Sequence, residues 1–162
     1  MTTTTVWTRT DSPVGELVLV GDPGGALSAI GLPESPKGFT VDPGWRRDDA
    51  VFADAVRQLD EYFAGRRTRF ELTYLPLGSE FRRRVWAALD DIPYGRTTTY
   101  GAVAASIGAS RAAVRAVGGA IGANPLMLVR PCHRVIGADG SLTGYAGGIE
   151  RKRLLLEREG AL

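Results

Sequence analysis

Residues 100–121 read YGAVAASIGASRAAVRAVGGAI, and this stretch predicts the architecture of the second half of the chain. Its small and apolar residues predict two short helices, at about 100–107 and 110–121. Only Gly108-Ala109 separates the two helices, and Ser110 can cap the start of the second. Two short helices across a tight glycine-containing turn are typical of a helix-turn-helix.

The second helix predicts two different faces. Val114, Val117 and Ile121 lie on one apolar side at 3.6 residues per turn. About a third of a turn away the helix gathers arginine and glycine, at Arg111, Arg115, Gly118, Gly119 and Gly122. Since glycine costs about 1 kcal/mol per helical position relative to alanine, this face indicates close approach to another body. That body is either a ligand or a helix packed tightly against Gly118-Gly119.

Downstream of the helices, the sequence predicts a strand, two turns and a final helix. Asn124-Pro125 ends the helical region, and Leu126–Val129 is a short apolar strand that leads into the segment PCHRVIG at 131–137. Asp139-Gly140 is typical of a hairpin turn, and the glycines of 144–148 are typical of a flexible loop. The last helix should run from about Ile149 to Arg158.

Upstream, Pro76-Leu77-Gly78 marks the predicted boundary between two domains, 1–77 and 78–162. Ser79 then caps a helix that ends at about Asp91. The first domain predicts a small antiparallel sheet followed by a helix, and it carries no evident chemistry, so we expect a scaffold. Its elements should be strands at Val6–Thr10, Glu16–Val20 and Ala26–Ile30, a loop over 31–47, a helix at about Asp49–Phe63 and a strand at Phe70–Leu75.

Composition excludes several classes of protein. The chain of 162 residues is 44% hydrophobic and 23% charged, as in ordinary globular proteins, which excludes wholesale disorder and coiled coil. It has no apolar run near the ~18 residues that a membrane span needs. The threonine-rich start lacks the regions of a signal peptide, so we expect a cytoplasmic protein. A single cysteine and a single histidine exclude an internal disulfide and a structural zinc site.

Charge is distributed unevenly along the chain. Residues 1–77 hold 8 Arg/Lys and 11 Asp/Glu, a net charge of −3, whereas residues 78–162 hold 12 and 7, a net charge of +5. The second half could therefore face the phosphates of a nucleic acid. The alternative is a general preference for arginine, because only Lys37 and Lys152 are lysines.

Cys132 and His133 are neighbours, and a histidine is the commonest means of deprotonating a reactive thiol. On a strand, however, consecutive side chains point to opposite faces, so direct contact would need a kinked backbone or a bridging water. The alternative is an inert buried cysteine beside a solvated histidine. Spacing alone leaves both interpretations open.

The motifs together closely resemble the O6-alkylguanine-DNA alkyltransferases, the methylated-DNA–protein-cysteine methyltransferases. The resemblance covers about residues 78–160 and is carried by RAVGGA at 115–120, Asn124-Pro125, PCHRVIG at 131–137 and GYAGG at 144–148. It implies an α+β fold: a small RNase-H-like N-terminal domain, then a winged helix-turn-helix domain that binds DNA and carries the alkyltransferase site. It also implies that the helix-turn-helix enters the minor groove and that a damaged nucleotide is flipped into a pocket holding the thiol.

The resemblance implies a suicide reaction, a single-turnover transfer of an alkyl group from guanine O6 to Cys132 without a cofactor. His133 would take the thiol proton through a water, Glu159 would orient the imidazole, and Asn124 would brace the cysteine turn. Tyr100 would protonate or hydrogen-bond guanine N3. Contacts to the base and the DNA are implied for Arg115, Gly118, Val135, Tyr145, Ala146 and Gly147, with the carbonyls of Cys132 and Val135 accepting from the guanine amine.

Three positions depart from the family pattern, namely Arg130, Ile121 and Ala146. We expect Arg130 to share a strand face with Leu126 and Leu128, and so to reach solvent or a phosphate. The partner implied is duplex DNA with O6-alkylguanine, bound by a monomer or cooperatively, with no membrane; acceptance of O4-alkylthymine stays open. Two alternatives remain: a non-enzymatic binder or sensor of alkylated DNA, against which Cys132 argues, and a cysteine hydrolase with an unrelated helix-turn-helix.

Overall fold

The computed structural model describes residues 4–162, so the first three residues of the threonine-rich start lie outside it. The chain forms two compact units, one ending at Pro76 and the other spanning Leu77–Leu162. None of the helices within 4–162 combines the length and the apolar character that crossing a bilayer would require.

The first unit is built on a four-stranded sheet. Its strands are β1 (Val6–Thr10), β2 (Leu17–Gly21), β3 (Leu27–Gly31) and β4 (Arg46–Arg47), in the order β3-β2-β1-β4. β1, β2 and β3 pair antiparallel, but β4 pairs parallel with β1, so the sheet is mixed rather than purely antiparallel. All five residues of β2 are buried, as its nearly continuous apolar sequence suggests. Helix α1 spans Ala53–Phe63 and is preceded by a 3₁₀ turn at Ala50–Phe52.

The strand predicted at Phe70–Leu75 is wrong. Only Tyr74 forms a bridge, with Leu27 of β3. The backbone of Glu71 is satisfied by a side chain instead: its N–H donates to Oε1 of Gln58 at 2.8 Å, and its carbonyl accepts from Nε2 of Gln58 at 3.1 Å. Because Gln58 belongs to α1, the helix takes the hydrogen bonds that a neighbouring strand would otherwise provide.

The second unit is mainly helical. It contains α2 (Glu80–Asp90), β5 (Thr98–Thr99), α3 (Tyr100–Ser106), α4 (Val114–Gly122), β6 (Val135–Ile136) and α5 (Ile149–Arg158). The hydroxyl of Ser79 caps α2 by accepting from the N–H of Arg82. Val85, Leu89, Val117 and Leu156 are among the buried residues of its core. β5 and β6 pair parallel to form a two-stranded sheet.

α3 and α4 form the helix-turn-helix. The chain reverses at Gly108, whose φ of +72° is readily adopted only by glycine, and a 3₁₀ turn at Arg111–Ala113 leads into α4. The indole N–H of Trp86 on α2 donates to the carbonyl of Ala120 on α4 at 2.8 Å, which ties α4 to the rest of the unit. α4 is therefore a fixed platform for the arginine and glycine face.

The strand predicted at Leu126–Val129 is also wrong. Leu128 adopts a φ of +78°, and the N–H of Arg130 donates to the carbonyl of Leu126 at 3.0 Å, so the chain turns back on itself. A β-branched or bulky residue rarely takes this conformation, and nothing in a run of apolar residues announces it. Asn124 stabilises the turn, because its side-chain oxygen accepts from the N–H of Leu126 at 3.0 Å.

Candidate active site

Cys132 lies in a 3₁₀ turn, Cys132–Arg134, rather than on a strand. Pro131 precedes the turn, and the N–H of Cys132 donates to the carbonyl of Arg130 at 2.7 Å. The cysteine is only 7% exposed. Burial raises the pKa of the thiol, against the opposing influence of a hydrogen bond with Asn124 and the charge of Lys152. The resting thiol is therefore protonated at neutral pH and needs a base before it can act as a nucleophile.

Asn124 connects the end of α4 to the cysteine turn. Besides holding the turn at Leu126, it donates from Nδ2 to the carbonyl of Arg130 at 3.2 Å, and it hydrogen-bonds the thiol of Cys132. Asn124 therefore lies where a brace of the cysteine turn should lie.

His133 and Glu159 form a buried pair. His133 Nε2 and Glu159 Oε2 are 2.8 Å apart, and neither side chain is exposed. Because a carboxylate only accepts hydrogen bonds, Nε2 carries the proton and Nδ1 keeps a lone pair. Nδ1 is buried and has no hydrogen-bond partner among residues 4–162. This tautomer leaves Nδ1 able to accept a proton.

The sequence indicated no role for Arg134, yet its side chain forms an ion pair with Glu159, the partner of His133. Its Nε and Nη2 donate to the two oxygens of Glu159 at 2.8 and 3.0 Å, and its Nη1 donates to the carbonyl of Ile92 at 2.6 Å. A buried carboxylate needs compensation of its charge, and this requirement is the only sequence signal that could have indicated Arg134. Burial, reinforced by the charge of Arg134, lowers the pKa of His133 despite the neighbouring Glu159. The imidazole is neutral at pH 7.

A small cavity adjoins the cysteine. Its volume is about 10 Å³, close to the space that one water molecule occupies. Its walls are Ile121, Gly122, Asn124, Met127, Cys132, Gly144, Tyr145 and Ala146. The predicted residues Tyr145 and Ala146 thus reach the cavity, whereas Gly147 is not among its walls; the Gly147 carbonyl accepts from Arg151. Met127 is a wall residue that the sequence did not indicate.

Tyr100 and Tyr145 both lie near the cysteine. Burial raises the pKa of each phenol, and the negative charge that Cys132 carries as a thiolate adds to the shift, so both hydroxyls stay protonated. Tyr100 begins α3 and donates from its hydroxyl to the carbonyl of Thr143 at 3.1 Å. The hydroxyl of Tyr145 is buried and finds no hydrogen-bond partner within the described part of the chain. The carbonyl of Val135, expected to face a base, accepts from Lys152 Nζ at 2.5 Å.

The side chain of Arg130 is only 11% exposed and packs against α2, contrary to the expectation from the strand pattern. Its guanidinium stacks on the ring of Trp86, 5.2 Å from the ring centre, and its Nε lies 3.4 Å from a carboxylate oxygen of Asp90. The expectation was wrong because residues 126–130 form a turn, which redirects Arg130 towards α2.

The glycine face of α4 is open. A Cβ placed at Gly119 or Gly122 would have no neighbour within 4 Å among the described residues, and one at Gly118 would meet only Tyr100, at 3.8 Å. Tight packing of another helix against this face, one of the two interpretations left open by the sequence, is therefore wrong within the second unit. Arg115 is exposed on the same helix.

The fold and the site together define a two-domain protein with a helix-turn-helix beside a buried cysteine–histidine–glutamate arrangement. Residues 80–161 match the family model of the DNA binding domain of 6-O-methylguanine DNA methyltransferase, and residues 5–77 match that of its ribonuclease-like domain. The chain belongs to the 6-O-methylguanine DNA methyltransferase family. The α+β class and two-domain family layout predicted from the sequence are thereby confirmed.

Curated and solved relatives agree with this assignment. A methylated-DNA--protein-cysteine methyltransferase of Mycolicibacterium paratuberculosis is 51% identical, over 92% of this chain and 88% of the relative. One from Methanosarcina acetivorans is 45% identical, over 93% and 96%. The crystal structure of the Mycobacterium tuberculosis O6-methylguanine methyltransferase is similar with a TM-score of 0.86 and 47% identity, over 97% of this chain and 93% of that one. A Mycobacterium tuberculosis OGT solved in complex with DNA gives a TM-score of 0.88, over 96% and 93%.

Proposed function

We propose that this protein repairs DNA by transferring an alkyl group from O6 of guanine directly to Sγ of Cys132. The observation that carries the proposal is a single cysteine at the wall of a cavity, followed by a neutral histidine whose Nδ1 is buried and free to accept a proton. Membership of the methyltransferase family supports it.

In the proposed reaction, Nδ1 of His133 takes the thiol proton through one water molecule. The thiolate attacks the alkyl carbon, so that an S–C bond forms while the C–O6 bond breaks and guanine leaves with the bonding electron pair. Glu159 holds the imidazole and stabilises its charged form, as the carboxylate does in a catalytic triad, and Arg134 holds Glu159 in place. The sum of the steps converts a thiol and O6-alkylguanine into a thioether and guanine, and it needs no cofactor.

The hydroxyl of Tyr100 is the donor for N3 of the departing guanine, because burial keeps it protonated. It would exchange its present acceptor, the carbonyl of Thr143, for the base. The carbonyl of Val135 can accept from the guanine amine through its second lone pair. Tyr145 forms a wall of the pocket, and the backbone N–H of Ala146 replaces the hydroxyl that a serine would offer to O6. The loop that contains Gly147 completes the set of contacts to the guanine base.

DNA would be bound through α4 in the minor groove. The glycines Gly118, Gly119 and Gly122 leave this helix face open, which suits a groove about 6 Å wide. Chemistry on a base requires its extrusion from the stack, at a cost of a few kcal/mol, and Arg115 would fill the gap that the base leaves. Since the cavity holds only about 10 Å³, entry of a purine requires its walls to separate. We propose a monomer that reacts once.

The test is to mix the protein with duplex DNA containing O6-methylguanine and to record the mass of the intact protein and of its peptides. We expect a gain of one methyl group, on the peptide that contains Cys132, saturating at one per molecule. Cys132→Ala should bind the same duplex without any mass change. Binding by the native protein without a mass change would favour a lesion sensor. The absence of both binding and a mass change would overturn the proposal.

A further inference from the structure

Arg130 is one of the three positions at which this chain departs from the family pattern, and its charged end is largely removed from water. Its side chain is only 11% exposed. Two groups of α2 hold the guanidinium: the ring of Trp86, whose centre lies 5.2 Å away, and Asp90, with a carboxylate oxygen 3.4 Å from Nε. Placing a charge so far from water is costly, so an arginine at this position calls for a local reason.

The same guanidinium also contacts Asn124. Nη1 of Arg130 donates to Oδ1 of Asn124 at 3.4 Å, and the N–H of Leu126 donates to the same oxygen at 3.0 Å. At the other end of the amide, Nδ2 donates to the carbonyl of Arg130 at 3.2 Å, and the amide hydrogen-bonds the thiol of Cys132. Arg130 therefore holds both ends of the Asn124 amide, one with its side chain and the other with its backbone.

These partners leave the amide of Asn124 a single favourable orientation. Oδ1 faces two donors and Nδ2 faces a carbonyl, so a flipped amide would place donor against donor and acceptor against acceptor. Because one of the two donors is a cation, it also polarises the amide and makes Nδ2 a stronger donor. The orientation that Arg130 favours is the one in which Asn124 can donate to a thiolate at Cys132.

We propose that the guanidinium of Arg130 fixes the side-chain amide of Asn124 in the orientation that supports a thiolate at Cys132. Arg130 is thus a positioning residue: it is not a wall of the cavity, and it acts on the sulfur through Asn124 and through its positive charge. Its role in alkyl transfer rests on the proposed function. Its effect on the thiol does not, because the only cysteine of the chain can be studied without DNA.

The charges around the thiol agree with this role. Burial raises the pKa of Cys132, whereas the hydrogen bond with Asn124 and the charge of Arg130 both lower it. The other titratable groups around the cysteine belong to its own turn, to α3, to the loop at 144–148 and to α5, and they are His133, Tyr100, Tyr145 and Lys152. Among all these groups, Arg130 alone combines a positive charge with a contact to the amide that donates to the sulfur.

The test is the rate at which iodoacetamide alkylates Cys132, measured against pH in the absence of DNA. Arg130→Met keeps an apolar stem but removes the charge and the donors. We expect its alkylation rate at pH 7 to fall by about threefold or more, because the thiolate is less populated, and the whole curve to move to higher pH. At alkaline pH the rates of the two proteins should converge, since both thiols are then ionised.

Two further variants are the controls. Arg130→Lys keeps the charge and should recover part of the shift, whereas Arg153→Met removes an exposed arginine of α5 and should match the native curve. An unchanged curve in Arg130→Met would overturn the proposal. A rate reduced by the same factor at every pH would also overturn it, because that result indicates altered access to the sulfur rather than a less stable thiolate.

Single-turnover transfer separates this inference from the proposed function. With duplex O6-methylguanine, Arg130→Met should transfer the methyl group at about one third of the native rate or less. Its affinity for DNA should be unchanged, since Arg130 packs on α2 and not on the glycine face of α4. A native transfer rate in Arg130→Met would overturn the inference. A native protein without transfer activity would overturn only the proposed function, because the iodoacetamide curves would still decide the role of Arg130.

Should Arg130→Met fail to fold, the native protein labelled with ¹³C at the arginine ζ-carbons provides the measurement. The resonance of Arg130, assigned by its absence from the spectrum of Arg130→Lys, should shift with pH over the range in which the alkylation rate of Cys132 rises. The same shift should disappear in Cys132→Ala. A resonance that does not respond to the ionisation of Cys132 would overturn the proposal.

Discussion

The carboxylate of Glu159 hydrogen-bonds both His133 and Arg134, and this sharing determines the basicity of His133. The salt bridge to Arg134 already compensates the charge of Glu159, so the carboxylate raises the basicity of the imidazole less than an isolated one would. Burial then lowers the pKa of His133. The histidine rests neutral, with Nδ1 available as an acceptor, which is the state that a general base requires.

The lowered pKa of His133 predicts that the free energy of unfolding depends on pH. Its pKa is lowered in the folded protein, so below the ordinary value of about 6.5 the unfolded chain binds a proton that the folded chain excludes. The free energy of unfolding should therefore fall as the pH decreases from about 7, by up to about 1.4 kcal/mol per pH unit from this residue.

Urea unfolding between pH 5.5 and 7.5 checks this prediction. Since His133 is the only histidine of the chain, His133→Gln removes the effect without disturbing another imidazole. The variant should be less stable at pH 7 but should lose less stability on acidification. Parallel curves for the two proteins would contradict the lowered pKa.

The position of Arg115 predicts a role in handling duplex DNA rather than in the alkyl-transfer step. It is exposed on α4 and would replace the flipped base in the stack. Arg115→Ala should slow repair of duplex O6-methylguanine by about tenfold, the loss of about 1.4 kcal/mol of stabilisation, but should leave reaction with free O6-benzylguanine nearly unchanged. Rates for both substrates, with the exposed Arg153→Ala as the control, provide the measurement. Equal losses on both substrates would refute this role.

At the scale of the secondary-structure element, replacing a glycine of α4 should change the stability of the fold and the affinity for DNA in opposite directions. A methyl group at Gly119 meets nothing within 4 Å in the described structure, and alanine is the better helix former by about 1 kcal/mol. Gly119→Ala should therefore stabilise the fold by up to about 1 kcal/mol. The same methyl group would project into a groove only about 6 Å wide, so affinity for duplex DNA should fall severalfold.

Gly101→Ala on α3 is the matched control, because its added methyl group also meets open space. Both variants should raise the thermal midpoint, but only Gly119→Ala should weaken binding in a fluorescence anisotropy titration. Unimpaired binding by Gly119→Ala would place the DNA on another face of the unit.

The turn over residues 126–130 is the element that gives the site its shape. Leu128 reverses the chain, Asn124 holds the turn from α4, and Arg130 is carried to Trp86 and Asp90. Cys132 then follows in its own short turn rather than on an extended strand. This arrangement brings the thiol to the cavity wall, which strand geometry would not have done.

At the scale of the whole molecule, the separation of charge predicts how binding responds to salt. The second half of the chain carries a net charge of +5 and the first half −3. Binding to DNA should release counter-ions, so the logarithm of the affinity should decrease linearly with the logarithm of the salt concentration. Anisotropy titrations between 50 and 200 mM salt measure the slope. A flat series, with circular dichroism showing an unchanged fold, would contradict phosphate binding.

The sequence by itself determined the features that local patterns encode. Apolar spacing placed α1, α2, α3, α4 and α5 within a few residues, and the strands β1, β2 and β3 shifted by at most one residue. The run Pro131–Gly137, with its spacing to Asn124, indicated the family and the cysteine. These features depend on residues close together in the chain, where periodicity and short motifs are sufficient.

Only the tertiary structure decided which distant residues hydrogen-bond one another, in the first unit and at the candidate site. Gln58 replaces a strand at Glu71, Arg134 shares Glu159, and Lys152 lies buried against two carbonyls. Each of these contacts joins residues that are far apart in the sequence, and each satisfies a polar group that packing has removed from water. A local sequence pattern cannot predict which buried polar group will need a partner, because that need arises only when the folded chain excludes the solvent.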